Sequence, residues 1–232
     1  MPEVREGDEV GALIAARVEL QDGDVVVISQ KVVSKAEGMV RRLSEVEPSS
    51  RAIELGNRLG KEAGLVELVL SESVEVLRAE RVLITETRHG FVCANAGIDS
   101  SNLPEDGTVC LLPEDPDTSA RRIRAEIEPV VGVVIADSFG RAWRVGQAEV
   151  AIGCAGLAPM DDWRGRSDAG GRELQATEIA IADEVAAAAD LIRVKDSGVP
   201  AAVVRGLDRC LTAEDGPGAA ALRRQRDEDL FR

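Results

Sequence analysis

Apolar positions along the chain fall into two kinds of pattern. Val25 to Ile28 is a continuous apolar run after an Asp22-Gly23-Asp24 turn, and Val131 to Ala136 is a second such run. Continuous short runs predict strands buried on both faces. Further strands are predicted at Arg81–Thr85, Gly90–Ala94, Thr108–Leu112, Glu149–Gly153 and Ala201–Val204, with Arg88-His89-Gly90 as the turn of a hairpin. Helical spacing places Val10, Leu13 and Ile14 on one face of Glu9–Arg17. Pro48-Ser49 opens a helix to about Leu59, and Leu65, Val66, Val69, Leu70, Val74 and Leu77 predict another over 65–77. Ser119–Ile127 predicts a helix, Ala-rich Glu173–Leu191 the longest one, and Ala219–Phe231 a charged terminal helix. Ser29–Gly38 has no clean period. Helices and strands therefore mix without a regular βαβ rhythm, and no repeat or linker divides the chain.

Composition narrows the class. At 232 residues and 44% hydrophobic, the chain predicts a globular unit with a substantial core. No apolar run approaches the ~20 residues of a membrane span. The first residues carry no basic region followed by an apolar core, which predicts no export signal and a cytoplasmic protein. Cys93, Cys110, Cys154 and Cys210 lie far apart with no CxxC pair, so free thiols are expected. A net charge of −14 argues against nucleic-acid binding. An anionic ligand would need local cations, backbone N–H groups or a bridging metal. The chain has only four lysines, and Lys31 and Lys35 fall close together; such flexible point charges suit phosphate.

Candidate chemistry gathers in a few segments. In Asn95-Ala96-Gly97-Ile98-Asp99-Ser100-Ser101-Asn102, small residues allow close backbone approach and Asp99 offers a hard oxygen ligand; an Asx-type turn is the alternative. Asp137, at the exit of the second buried run, is followed by Ser138-Phe139-Gly140-Arg141. A carboxylate beside a hydroxyl suits Mg²⁺ or Mn²⁺; a cap is the alternative. Arg141 and Arg144 could grip an anion, with Trp143 between them as packing. Ser29-Gln30-Lys31 and Ser34-Lys35-Ala36-Glu37-Gly38 suit phosphate contact or a solvated loop, the loop being slightly favoured. Arg164, Arg166 and Arg172 could bind an anionic substrate or pair with nearby aspartates on the surface. His89 sits in the hairpin turn and is read as structural. Neither GxGxxG nor GxxxxGK[ST] is present, so any nucleotide site is built differently.

Taken together, the segments ending at Gly38, Asn102, Arg141, Leu174 and Leu207 resemble the gamma-glutamyl ligases of coenzyme F420, a deazaflavin redox cofactor. The resemblance runs from about Pro2 to Leu207 and weakens beyond. It implies an α+β fold, with mixed sheets and helices forming two intertwined subdomains in one compact unit. Residues 1–210 would be the ligase domain and 211–232 a C-terminal helical extension of it. It implies a homodimer with the active site near the subunit interface. The implied reaction uses GTP to add L-glutamate to the deazaflavin precursor through an acyl phosphate, releasing GDP and phosphate, with Mg²⁺ or Mn²⁺ and with potassium as a helper. Asp99, Asp137 and Ser138 match the family's metal positions. Asn102, Ser29, Gln30, Lys35 and the stretch Pro2, Glu3, Val4, Arg5 match its nucleotide contacts. The chain departs from the pattern in three places: relatives usually carry a further leading strand, Leu191–Gly198 lacks their Met-Gly, and Gly170 replaces a frequent aromatic residue. Two other readings stay open: a nucleotide-dependent ligase for another carboxylate, and an inactive nucleotide- or deazaflavin-binding module.

Overall fold

The computed structural model describes residues 1–103 and 105–229. Its elements in chain order are α1 (Val10–Ala15), β1 (Val25–Ser29), α2 (Gln30–Ala36), β2 (Val40–Arg42), α3 (Ser50–Leu59), α4 (Ala63–Ser71), β3 (Ser73–Ala79), β4 (Leu83–Thr87), β5 (Val92–Ala94), β6 (Thr108–Cys110), α5 (Pro116–Ala125), β7 (Gly132–Arg141), β8 (Arg144–Ala155), β9 (Asp161–Asp162), β10 (Glu178–Ile179), α6 (Ile181–Asp190) and β11 (Ala201–Val204). The fold is α+β with several sheets, as expected.

The central sheet has the order β11-β1-β7-β8. β1 runs parallel to β7, with Ser29 opposite Ala136, and the other pairings are antiparallel. Both apolar runs are buried on two faces, which is why they do not alternate. Val26, Ile28, Val133 and Ile135 pack with residues of α1, α2 and α5 on one side. Val25, Val27, Val134 and Ala136 pack with α6 on the other. The chain leaves this layer at β2 and returns at β6. Between them α3, α4 and the sheet β3-β4-β5 build a further cluster around Ala52, Val66, Val69 and Leu83. Phe91 and Cys93, flanking and within β5, pack instead into the first cluster, so the two lobes share side chains.

Local signals set several boundaries. Ser49 caps α3 by accepting from the Ala52 N–H, and Gly60 ends it in the left-handed region at φ 63°. Asp115 caps α5 by accepting from the Thr118 N–H, with Pro116 in the first turn.

Five expectations need correction. Ser29–Gly38 is not a solvated loop: it holds α2, with Val32, Val33 and Ala36 buried. Its period was hidden because Gln30 and Ser34 are buried too, and the Ser34 hydroxyl donates to Gln30 Oε1 at 2.8 Å. The helix predicted over 65–77 stops at Ser71, and Val74 is 68% exposed on a strand paired with β4. The helix predicted over 173–191 begins only at Ile181, because Glu178 and Ile179 pair with β9; at ten residues it is no longer than α3 or α5. β7 continues through Asp137 and Ser138 to Arg141 and turns into β8. Asp137 therefore marks where the strand leaves the core, not where the strand ends. In place of a terminal helix, 3-10 turns occupy Ala219–Leu222 and Arg226–Glu228, while Phe231 lies outside the described residues. Here the buried Asp117 carboxylate accepts the Ala219 and Ala220 N–H groups, at 2.7 and 3.1 Å, which ties the start of the first turn to α5.

Candidate active site

Parallel pairing of β1 and β7 sets the C-terminal end of β1 beside the point where β7 leaves the core, with Ser29 opposite Ala136 and next to Asp137. Ligands of α/β layers bind at such strand ends. A cavity of about 470 Å³ opens there. Pro2, Glu3, Val4, Ser29, Lys35, Asp99, Asn102, Asp137 and Ser138 all line it, so nine of the eleven residues that the resemblance matched to metal or nucleotide positions meet in one place. The two exceptions are Gln30 and Arg5. Gln30, the first residue of α2, is fully buried and bonded to Ser34. Arg5 faces a neighbouring cavity of about 620 Å³ with Arg41 and Arg42. Val4 lines the cavity's floor while also belonging to the core.

The loop wall is held by lysines. Lys31 Nζ pairs with Asp99 Oδ2 at 2.8 Å and donates to the Ser101 carbonyl at 2.9 Å. Lys35 Nζ pairs with Glu3 Oε1 at 2.6 Å and donates to the Asn102 carbonyl at 3.1 Å. Asp99 also accepts from the Ser101 N–H at 2.7 Å. It is thus an Asx-type turn and a cavity carboxylate at once; the two readings of this segment do not compete. Burial alone would raise its pKa, but the hydrogen bonds from Lys31 and Ser101 outweigh burial and hold it below the ordinary value. Asn102 adopts φ 54°, a left-handed conformation Asn tolerates, which turns the loop over the cavity mouth.

The strand wall differs. Burial pushes the Asp137 carboxyl up to about 7, and the Glu149 and Asp99 charges add to the rise. Ser138 stands opposite Glu149 in the β7–β8 ladder. The Ser138 hydroxyl donates to Glu149 Oε1 and accepts from Lys195 Nζ at 3.1 Å. Glu149 Oε2 pairs with Arg193 Nη2 at 3.1 Å, with both side chains under 10% exposed.

Glu149, Arg193 and Lys195 were not singled out from the sequence. One signal was available: three of the four lysines, Lys31, Lys35 and Lys195, line this cavity. In an arginine-rich chain, the rarer cation marked the site. The remaining arginine candidates stay outside. Arg164 pairs with Asp162 at 2.7 Å, and Arg166 pairs with Asp161 at 3.5 Å while stacking over Trp163. Arg141 and Arg144 sit at the exposed end of the β7–β8 hairpin, where Trp143 is 85% exposed instead of packed. His89 is structural as expected: Nε2 lies 3.0 Å from the Pro113 carbonyl, and burial, with the Arg88 charge, lowers its pKa. All four cysteines are free and buried.

The sequence matches the F420-0:Gamma-glutamyl ligase family over residues 1–206. The chain belongs to that family. Its similarity to curated members runs end to end. A coenzyme F420:L-glutamate ligase of Methanothermobacter thermautotrophicus is 44% identical over 243 residues, covering 100% of this chain and 96% of the relative. One from Archaeoglobus fulgidus is 45% identical, covering 100% and 93%. One from Methanocaldococcus jannaschii is 39% identical, covering 100% and 94%. Among the described residues no helix is long and apolar enough to cross a membrane.

The donor set suits a divalent cation that arrives with phosphates. Among the described residues no three His, Cys, Asp or Glu side chains gather closely enough to cage an ion alone. Mg²⁺ and Mn²⁺ are commonly held by one or two carboxylates, with phosphate oxygens and water completing the shell. Asp99 and Asp137 would supply that pair, and Lys31 and Lys35 line the same cavity.

Proposed function

We propose that the chain is a GTP-dependent ligase that joins L-glutamate through gamma-linkages to the deazaflavin precursor coenzyme F420-0, releasing GDP and phosphate. The observation that carries the reading is the convergence of Lys31, Lys35 and Lys195 with Asp99 and Asp137 in one cavity of a family member. Ligation of a carboxylate to an amine needs the carboxylate activated first. Its oxygen attacks the γ-phosphorus of GTP and GDP leaves, forming an acyl phosphate. The glutamate amine then attacks the acyl carbon, and phosphate leaves with the C–O electron pair. Such transfers depend on positioning and charge neutralisation more than on a protein nucleophile.

Lys35 and Lys31 exchange their present carboxylate partners for phosphate oxygens. Asn102 and the stretch Pro2 to Val4 flank the nucleotide, with Ser29 at the strand end and Arg5 beside it in the adjoining cavity. Asp99, Asp137 and Ser138 would hold Mg²⁺ or Mn²⁺, which would supply charge neutralisation at the phosphates. Ser138 orients its hydroxyl toward Lys195 and Glu149 beside them. The reading includes a helper potassium ion, a cytoplasmic setting and a homodimer. The exposed hairpin tip, with Trp143 85% and Val145 95% exposed, supports the dimer.

Purified protein incubated with the precursor, GTP, Mn²⁺ and glutamate is expected to yield products heavier by whole glutamyl units in a mass spectrum, with matching phosphate release. Absence of both product and GTP turnover would overturn the proposal.

A further inference from the structure

The neighbouring cavity of about 620 Å³ shares Glu3, Val4 and Lys35 with the first, so the two are continuous. Four cations and four carboxylates line it. Most of them pair with each other. Arg42 meets Glu105 Oε2 at 2.6 Å and lies 3.9 Å from Glu45 Oε1, while Lys35 meets Glu3 at 2.6 Å. The remaining three, Arg5, Arg41 and Glu6, have no ion-pair partner among the described residues. Two guanidiniums and one carboxylate are therefore left for a ligand. We propose that this cavity is the subsite of the amino-acid co-substrate: Arg5 and Arg41 take the two carboxylates of L-glutamate, and Glu6 takes its ammonium. The inference rests on the ligase reading above and adds a second binding site to it.

The backbone sets these three groups in place. The Arg5 N–H donates to Asp8 Oδ2 at 2.8 Å, and the Gly7 N–H donates to the Ala36 carbonyl at 2.9 Å. These bonds tie the turn that carries Arg5 and Glu6 to the end of α2. Gly38, at φ 66°, leaves room for the Glu6 carboxylate: a Cβ there would stand 2.7 Å from the Glu6 carboxyl carbon. Arg41, on β2, donates to the Gly38 and Val40 carbonyls through Nη1 alone, at 2.8 and 3.0 Å. Its other nitrogens have no observed partner, and a guanidinium so placed suits a carboxylate. The charge count selects among the participants of the reaction. A triphosphate would meet the Glu6 carboxylate as well as the guanidiniums and be repelled by it. An amino dicarboxylate offers two negative groups and one positive, the complement of the three left over. Place agrees with charge. Lys35 stands on the boundary of the two cavities, so glutamate held here lies beside the phosphates that Lys35 would meet. Glu3, freed when Lys35 turns to phosphate, faces the same boundary and adds to the hold on the ammonium.

Binding of L-glutamate is measured by calorimetry on protein saturated with a non-hydrolysable GTP analogue and Mn²⁺, so the readout does not depend on turnover. Wild-type protein is expected to bind L-glutamate, and to bind glutarate, which lacks the ammonium, about 10-fold more weakly. Arg5 and Arg41 are exposed, so their variants should fold. Arg5→Met and Arg41→Met are each expected to weaken L-glutamate about 10- to 100-fold while the GTP analogue's affinity changes less than about twofold. Arg41→Lys is expected to recover part of the loss. Glu6→Gln is expected to erase the preference for L-glutamate over glutarate. Unchanged L-glutamate affinity in both arginine variants overturns the inference, as does an equal loss of the GTP analogue. Equal binding of glutarate and L-glutamate by wild-type protein overturns it too, making the cavity a site for carboxylates alone. Each of these results leaves the ligase reading intact. Binding of L-glutamate that depends on Arg5 and Arg41, with no ligation, would overturn the ligase reading alone. Wild-type protein that binds neither L-glutamate nor the analogue overturns both.

Discussion

The cavity and the segment from Asp161 to Ile179 both collected cationic candidates, and the structure treats them in opposite ways. In the segment, Arg164 and Arg166 pair with Asp162 and Asp161, two or five positions away, and their side chains are about half exposed. In the cavity, Lys31 and Lys35 pair with Asp99 and Glu3, far away in sequence, and are largely covered. Local pairs can form on any surface turn and say little about function. Pairs that need the tertiary fold, held in a concavity where phosphate could take over the cations, point to a site. The contrast also separates the residue types in part: three of the four lysines line the cavity, where Arg193 joins them, while Arg164 and Arg166 serve the surface.

The sharpest way to break the comparison is at Asp137. Asp137→Asn is expected to lower metal-dependent turnover by about 10³-fold, the upper range for losing a single electrostatic group from an active site. The thermal midpoint should hold or rise, because the variant removes a buried carboxylate that repels Glu149 and Asp99. Near-normal phosphate release would move the ion elsewhere. Next in size, Lys35→Ala is expected to weaken GTP binding about 10- to 100-fold in calorimetry, the worth of a charge-assisted hydrogen bond. Lys61→Ala, the lysine outside the cavity, should leave affinity unchanged; equal losses in both would dissolve the contrast.

A pH series sharpens it further. Asp137, raised to about 7 from 3.8, holds its proton in the folded protein after the unfolded chain has lost it. The metal-free protein therefore loses stability from this group as pH rises from about 4 to 7, and the slope vanishes above. Metal binding must expel that proton, so Mn²⁺ affinity should fall about tenfold per pH unit below 7. Asp99, held low, contributes no such slope there. A flat affinity between pH 5 and 7 would contradict the assignment. The smallest effect belongs to the surface segment: Arg164→Ala should change kcat/KM less than about twofold and the thermal midpoint by less than about 2 °C.

Legibility followed the same division. β1 and the first half of β7 were readable because burial on both faces leaves an unbroken apolar run. α2 was not, because Gln30 and Ser34 are buried by bonding each other, and polar letters hid a buried helix. Ser73 to Leu77 carried a pattern compatible with helix or strand, and pairing with β4 decided it. Asp99, Asp137 and Lys35 stood out as candidates because carboxylates and lysines stood among small or apolar neighbours, and all three line the cavity. Glu149 was not: within β8 it looks like an ordinary strand residue until its register places it opposite Ser138. Arg193 was invisible for a similar reason, since its role depends on a carboxylate from another element.

The sequence by itself determined the family, the buried strands and a core set of the residues that line the cavity, from Ser29, Lys31 and Lys35 to Asp99, Asp137 and Ser138. Those depend on local composition and ordered motifs, which the chain carries wherever it folds. Only the tertiary structure decided that they meet, and with what charge. Convergence follows from the parallel register of β1 and β7, and from Lys31 and Lys35 drawing the 99–102 loop over α2. The contacts of Ser138 and Glu149 follow from the long-range placement of Arg193 and Lys195. Coulomb interactions depend on distance in space, and the chain order does not record that distance.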